Sequence, residues 1–318
     1  MKAIENNQLS LLDSFMPITP HNEFLTKICQ LIDFNSFKQS LDACYSEIGR
    51  PACDPIILFK MLLLQRWYNL SDKQVIEQSG DRITFRKFLG IGFSEQLPDD
   101  TTLVRFRNRL DEHRLYDKLI AVFERQLEKH NVRVNEGRIT IVDATIIPSN
   151  TRQKHNDPSH VARVDPGAQT TYHPKKGPIT GFKMHMQMDA DSRLIEKFRV
   201  TGAAVADTNY FFVSERAKIV LADKGYDSEY NRLKLKVKGV CDGIMRRSRR
   251  SHSLSYDDKI RNKLISPFRS KIESKFGEMK KWVGLSRAIY RGLDRVRRQV
   301  CLTVLAVNMK RITVLVRA

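Results

Sequence analysis

No two of the five cysteines (Cys29, Cys44, Cys53, Cys241, Cys301) form a Cys-x-x-Cys pair. That argues against a disulfide frame or a thiolate zinc site and for reduced thiols. The eight histidines show no His-Glu-x-x-His or zinc-finger spacing. Long apolar runs are missing too: the longest, from Ile56 to Leu64, is broken by Lys60 and is too short to cross a bilayer. No basic segment followed by an apolar core opens the chain, so a secretory signal is not expected and a cytoplasmic protein is. Internal repeats and low-complexity tracts are absent as well.

Acidic residues are scarce in one place only. From Asn231 onward there are 24 lysines and arginines against 6 acids, whereas the first 230 residues carry 31 against 30. Nearly all of the net charge of +19 therefore lies in the last part of the chain. Such one-sidedness fits a polyanionic partner reached through phosphate contacts and counterion release, with nucleic acid favoured over a membrane surface.

The 318 residues suffice for two cores. Residues 1–135 read as a helical domain. Phe24, Leu25, Ile28, Leu31, Ile32, Phe34 and Phe37 fall at helical spacing; Ile56 to Tyr68 reads as a core helix, Ser71 as the cap of the next, and Ile83 to Leu89 as a third. Asp100-Thr101 is expected to cap Leu103 to Glu112, a helix bearing Arg105, Arg107 and Arg109, which are candidate DNA contacts. A further helix runs from Arg114 to His130. In residues 136–318 the period changes. Ile139 to Asp143 reads as a strand, Ser149 to Pro178 as a polar loop, and Phe182 to Met188 with Leu194 to Val200 as a hairpin. Asp207 is expected to cap a helix reaching Ala217. Lys218 to Ala222 is the next strand, Glu229 to Lys238 a helix, Val240 to Met245 the last strand, and Asp258–Trp282 and Asp294–Leu315 two final helices. This order describes a mixed α/β sheet covered by helices, after an all-α domain.

Asp143 and Asp223 each follow a short apolar run, Ile139 to Val142 and Ile219 to Ala222. Strands of that kind set two carboxylates side by side at one sheet edge. Glu273 lies in a helical pattern whose apolar stripe is Phe268, Ile272, Phe276, Met279 and Val283. Arg269, Glu273 and Lys280 sit one position round from that stripe, on its rim. Three carboxylates make a hard oxygen site suited to Mg²⁺, with Mn²⁺ as the alternative. Two-metal phosphoryl transfer needs such acids to hold ions about 3.5–4 Å apart. Each acid also has a plainer reading, since an aspartate after a strand is often a turn former or helix cap. Asp189 and Asp191 read as a hairpin turn and Asp207 as a helix start; Glu278 and Asp227 are weaker rivals to Glu273 and Asp223. Trp282 reads as a core residue at a helix end. His155, His160, His173, Lys175 and Lys176 in the polar loop are solvated by default.

Several segments together resemble a known family. IVDAT at 141–145, GFKMHMQMDADSRLIEKFRVTGA at 181–203, LADKGYDS at 221–228 and RSKIESKFGEMK at 269–280 are similar to the DDE transposases of bacterial insertion sequences, the insertion-sequence-five family in particular. The segments at 54–75, 81–90 and 98–110 resemble the helical domain preceding that family's core, and QLSLLDSF at 8–15 its usual opening. The likeness spans roughly residues 50–310. It implies a ribonuclease-H-like core, an acid triad at Asp143, Asp223 and Glu273 holding two metal ions, and phosphate contacts by Arg269 and Lys280. In the signature Tyr-x2-Arg-x3-Glu-x6-Lys, Arg269, Glu273 and Lys280 match, but Ser266 stands at the tyrosine position. The resemblance further implies binding of terminal inverted repeats, cleavage and strand transfer on double-stranded DNA, and a homodimer in the DNA complex in a prokaryotic cell. A catalytically silent DNA-binding regulator and a stand-alone nuclease are the alternative readings.

Overall fold

A computed structural model describes residues 22–45, 53–130, 132, 139–151, 163–173, 177–214, 216–248 and 253–316. His155, His160, Lys175, Lys176, Arg249, Arg250 and the opening segment at 8–15 lie outside the described residues. The chain divides into two units: residues 1–131 with 301–318, and residues 132–300. The last helix is therefore shared. The sequence places all of 136–318 in one domain, whereas the chain from Cys301 on groups with the helical unit.

That unit contains α1 (Glu23–Leu31), α2 (Lys38–Asp42), α3 (Pro55–Tyr68), α4 (Asp72–Asp81), α5 (Ile83–Leu89), α6 (Asp100–Glu112) and α7 (Tyr116–Lys129). Helix α3 is buried on nearly all sides because Ile56, Leu58, Phe59 and Met61 through Leu64 leave it almost no polar face. Asp54 caps its start with Pro55 in the first turn, and Asn69 in the left-handed region ends it. Ser71 and Gln74 form a capping box on α4. Helix α6 begins earlier than its sequence suggests: Asp99, not Asp100-Thr101, caps it by accepting from the Thr102 amide at 2.6 Å. Phe34, Phe37, Phe59 and Phe88 pack ring to ring, with Phe37 and Phe59 centroids 5.1 Å apart. The Trp67 indole donates to the Ala306 carbonyl at 2.8 Å, so the end of the chain is part of this core.

Arg107 is a correction. Its guanidinium is 4% exposed and makes a two-pronged bond to Asp72, with a further contact to Gln65 at 3.3 Å. It faces the interior with Leu103 and Leu110, and it is withdrawn as a DNA contact. Arg105 is exposed, and Arg109 lies over the Tyr45 ring at 4.8 Å.

The second unit is built on β1 (Ile139–Pro148), β2 (Gln169–His173), β3 (Gly177–Asp189), β4 (Ile195–Gly202), β5 (Ile219–Ala222) and β6 (Cys241–Ile244). β1 is central, antiparallel to β3 and parallel to β5, which is parallel to β6. β4 and β2 both pair with β3, over 182–188 and 177–181 respectively. This is the mixed sheet with an antiparallel hairpin expected of a ribonuclease-H-like core. The polar loop expected over 149–178 contains β2. Gly181 is required where β1 ends against β3, since a Cβ there would lie 2.3 Å from the Ile147 carbonyl oxygen.

Helix α8 (Glu229–Val237), capped by Ser228, buries Leu235 against Val142, Val220, Ala222 and Ile244 on one face. Helix α9 (Tyr256–Trp282) packs on β1 and β5 and buries Ile272, Phe276 and Met279. A Ser255–Asp258 capping box starts α9 two residues before the expected Asp258. Its first turns also block the free edge of β6. Arg261 donates to the Asp242 and Ile244 carbonyls, and Asn262 pairs with both backbone groups of Arg246. An edge strand covered in this way cannot recruit another strand. Trp282, read as a core residue, is 58% exposed at the end of α9, with the Lys281 amine over its ring. The last helix, α10, spans Leu293–Leu315.

The helix expected from Asp207 to Ala217 is only a short 3-10 turn, Asp207–Tyr210. Asp207 does not cap it, because its carboxylate is engaged by Lys183 at 2.9 Å. Phe211 and Val213 then bury in alternation, as an extended segment does. Asp189, by contrast, forms the turn expected of it, accepting from the Ser192 amide at 2.7 Å and from the Asp191 amide at 3.1 Å.

Candidate active site

Pairing of β5 with β1 ends at Val142 and Ala222, so the next residues, Asp143 and Asp223, stand abreast. Asp143 does not end its strand as expected. β1 continues to Pro148 because β3 remains its partner on the other side. The aspartate thus sits mid-strand, at the step where the parallel neighbour stops. Each aspartate is held by the amide that follows it: Ala144 to Asp143 at 2.8 Å and Lys224 to Asp223 at 2.6 Å. Both lie on the face of the sheet covered by α9.

Helix α9 brings Arg269 and Glu273 to the same place, one turn apart. The Arg269 guanidinium lies 3.7 Å from Asp143, 3.4 Å from Asp223 and 3.2 Å from Glu273. One cation therefore touches all three predicted acids. Exposure grades across them, from 16% for the Asp143 side chain through 29% for Asp223 to 58% for Glu273. Burial pushes the Asp143 carboxyl up to about 6, against the opposing pull of the Ala144 amide and of Arg269; the neighbouring Asp223 adds to the rise. Lys280 is half-buried on α9, seven residues beyond Glu273 and so about 10 Å further along the axis, outside the cluster.

Three carboxylates converging on a single cation have the charge and the donor chemistry for a divalent ion. Among the described residues no three His, Cys, Asp or Glu side chains are gathered closely enough to chelate one. The guanidinium stands where the three carboxylates converge.

Two neighbours escaped the sequence reading. Tyr226 is 1% exposed, and its hydroxyl has no hydrogen-bond partner among the described residues. Burial and then the charges of Asp143, Asp207 and Asp223 push this phenol well above its ordinary value, so it stays protonated beside the acids. The second is a polar layer on β3. His185, fully buried, meets Thr201 at 2.9 Å and lies 3.9 Å from Asp207, which Lys183 holds. Burial pushes His185 down to about 4, so it is neutral. Lys183 and His185 alternate with Phe182, Met184 and Met186, a period-two signal that places them on one face. Nothing in the sequence tells that the 203–210 segment folds over them.

Comparison with known proteins gives two family matches. A family model described as "Transposase domain (DUF772)" matches residues 13–109, and one described as "Transposase DDE domain" matches residues 135–309. Among solved structures, a cryo-EM structure of a piggyBac transposase synaptic complex with hairpin DNA aligns at a TM-score of 0.47 and 12% identity, over 92% of this chain and 72% of that one. No helix among the described residues is long and apolar enough to cross a membrane. The DDE match covers more than half of the chain, and its span includes both strand-borne aspartates and the glutamate of α9: the protein belongs to the DDE transposases, a family of enzymes.

Proposed function

We propose that this transposase, of the insertion-sequence-five type, binds the terminal inverted repeats of its own element, cuts at their ends and joins them to target DNA. The observation that carries the reading is the convergence of Asp143, Asp223 and Glu273 on the one Arg269 guanidinium. In this reading the three carboxylates hold two divalent ions, Mg²⁺ or Mn²⁺. Once bound, these supply the charge that activates the attacking oxygen and stabilises the leaving one. The two aspartates are fixed by strand and amide and so define the position. Glu273, longer and more exposed, closes on it. Arg269 gives up the carboxylates and turns to a phosphate oxygen, where its planar fork serves equally well. Lys280, Arg105 and Arg109 contact phosphates further along double-stranded DNA. Pairing two ends requires two copies of the chain, acting on the nucleoid of a prokaryotic cell.

The test is a strand-transfer assay with duplex carrying the element's ends and a supercoiled target. Joined product dependent on Mg²⁺ is expected. Cleaved ends without joining would make the protein a nuclease, and binding without cleavage a silent regulator.

Competition at Arg269 makes a second expectation. In Arg269→Gln, Mn²⁺ affinity measured without DNA at pH 8 should rise at least about tenfold, since a competing charge is removed. The same substitution should move the pH at which affinity falls away upward from about 6, because Arg269 lowers the Asp143 carboxyl and a protonated acid does not ligate. Unchanged affinity and an unchanged midpoint would show that Arg269 does not occupy the ion's place.

A further inference from the structure

Strands β5 and β6, parallel to β1, end at Ala222 and Ile244, so the chain leaving β6 emerges on the side of the sheet where Asp223 follows β5 and Asp143 lies abreast of it on β1. That chain is Met245-Arg246-Arg247, the start of a basic run. Its course is fixed by Asp227, four residues after Asp223. A tight 3-10 turn brings this aspartate back: the Tyr226 amide donates to the Asp223 carbonyl at 2.9 Å and the Asp227 amide to the Lys224 carbonyl at 3.2 Å.

One carboxylate oxygen of Asp227 accepts from the Arg247 amide at 2.8 Å. The other accepts from Arg232 Nε at 3.1 Å and Nη2 at 2.8 Å. Arg232 reaches on to Asp242, which Arg261 also contacts at 3.2 Å. In this network two aspartates balance two arginines. The Asp227 side chain is 9% exposed and that of Arg232 16%, so the balance is struck largely out of water.

The network leaves two cations over. Lys224 and Arg247 are exposed, and neither forms an ion pair among the described residues. Each has its backbone amide gripped by an aspartate of the same turn: Lys224 by Asp223 at 2.6 Å and Arg247 by Asp227 at 2.8 Å. A surface arginine serving only solubility has no need of an anchor to a nearly buried ion network. These two have a fixed backbone and an exposed side chain, Lys224 directly after Asp223 and Arg247 on Asp227, four residues beyond it.

The geometry points to Lys224 and Arg247 as a phosphate-binding pair that seats the DNA backbone next to the bond being cut, with Asp227 as the positioning residue beneath them. The pair reads phosphates and not bases, since a lysine ammonium and an arginine fork both match backbone oxygens. This inference rests on the reading of the protein as a DNA-cutting enzyme.

The test is equilibrium binding of the full-length protein to a linear duplex of random sequence across a range of salt. Two phosphate contacts contribute about 1.8 to the slope of log affinity against log salt. In the Lys224→Gln, Arg247→Gln double variant the slope should be shallower by about that amount. Raising salt from about 50 to 200 mM should then cost the wild type about 12-fold more affinity than the variant. The variant's melting temperature should match the wild type, and Arg247→Lys should retain the steeper slope because it keeps the charge. An unchanged slope in the double variant, or a slope lost equally in Arg247→Lys, overturns the proposal. If the wild type binds and cuts while the double variant keeps its slope, only this pair is wrong. A wild type that neither binds nor cuts removes the transposase reading itself.

Discussion

Alanine at Asp143, Asp223 or Glu273 is expected to lower divalent-ion-dependent strand cleavage by at least about 10³-fold while binding to the element's ends survives. Loss of a ligand removes several kcal/mol of charge stabilisation, and each ~1.4 kcal/mol is tenfold in rate. Binding survives because the helical unit and the basic surfaces do not depend on the acids. Asp143→Asn is the sharpest version, since it keeps the shape of a side chain that is only 16% exposed and accepts the Ala144 amide. The measurement is nicking of end-labelled duplex with Mg²⁺, read beside a gel-shift titration. Undiminished cleavage by any one variant would strike that residue from the triad; loss of binding along with cleavage would mean that the substitution damaged the fold.

The next largest effect lies in the helical unit. Asp72→Ala is expected to destabilise the protein by about 3 kcal/mol, because it removes the carboxylate that the buried Arg107 guanidinium grips with two prongs. The figure is at the lower end of the range for broken buried pairs, since Asp72 itself is 32% exposed. The double variant Asp72→Ala, Arg107→Met should recover most of the loss, because it removes the stranded charge. Arg105→Gln, on the exposed face of the same helix, should change stability by less than about 0.5 kcal/mol and instead weaken DNA binding. Chemical denaturation of the four proteins decides the matter: a cost below about 1 kcal/mol for Asp72→Ala would mean that Arg107 is not held as the geometry indicates.

The inward orientation of Arg107 is legible in the sequence. Leu103, Arg107 and Leu110 share the i, i+4, i+7 stripe of α6, so helical spacing alone turns Arg107 inward while Arg105 turns out. Other misses had no such remedy. Asp143 looked like the end of a strand because its apolar run stops there, but strand length is set by the partner, and β3 keeps pairing for five more residues. Asp207 looked like a helix cap because an aspartate before polar residues usually is one. Lys183, on a strand 24 residues earlier, claimed its carboxylate instead. Trp282 was read as core because tryptophan usually is, whereas the end of α9 leaves it in water.

From residue order alone came the helical and sheet halves, the candidate residues Asp143, Asp223, Arg269, Glu273 and Lys280 on β1, β5 and α9, and the basic last part of the chain. Those depend on periodicity, caps and local charge, which act over a few residues and are written along the chain. Tertiary structure alone decided that one guanidinium would lie among three carboxylates, that Asp227 would anchor Arg247, and that the buried Tyr226 hydroxyl would find no hydrogen-bond partner among the described residues. It also decided that the last turns of the chain would join the helical core. Contacts of this kind join residues far apart in the chain, and their strength depends on how much water packing excludes. That quantity exists only once the chain has folded.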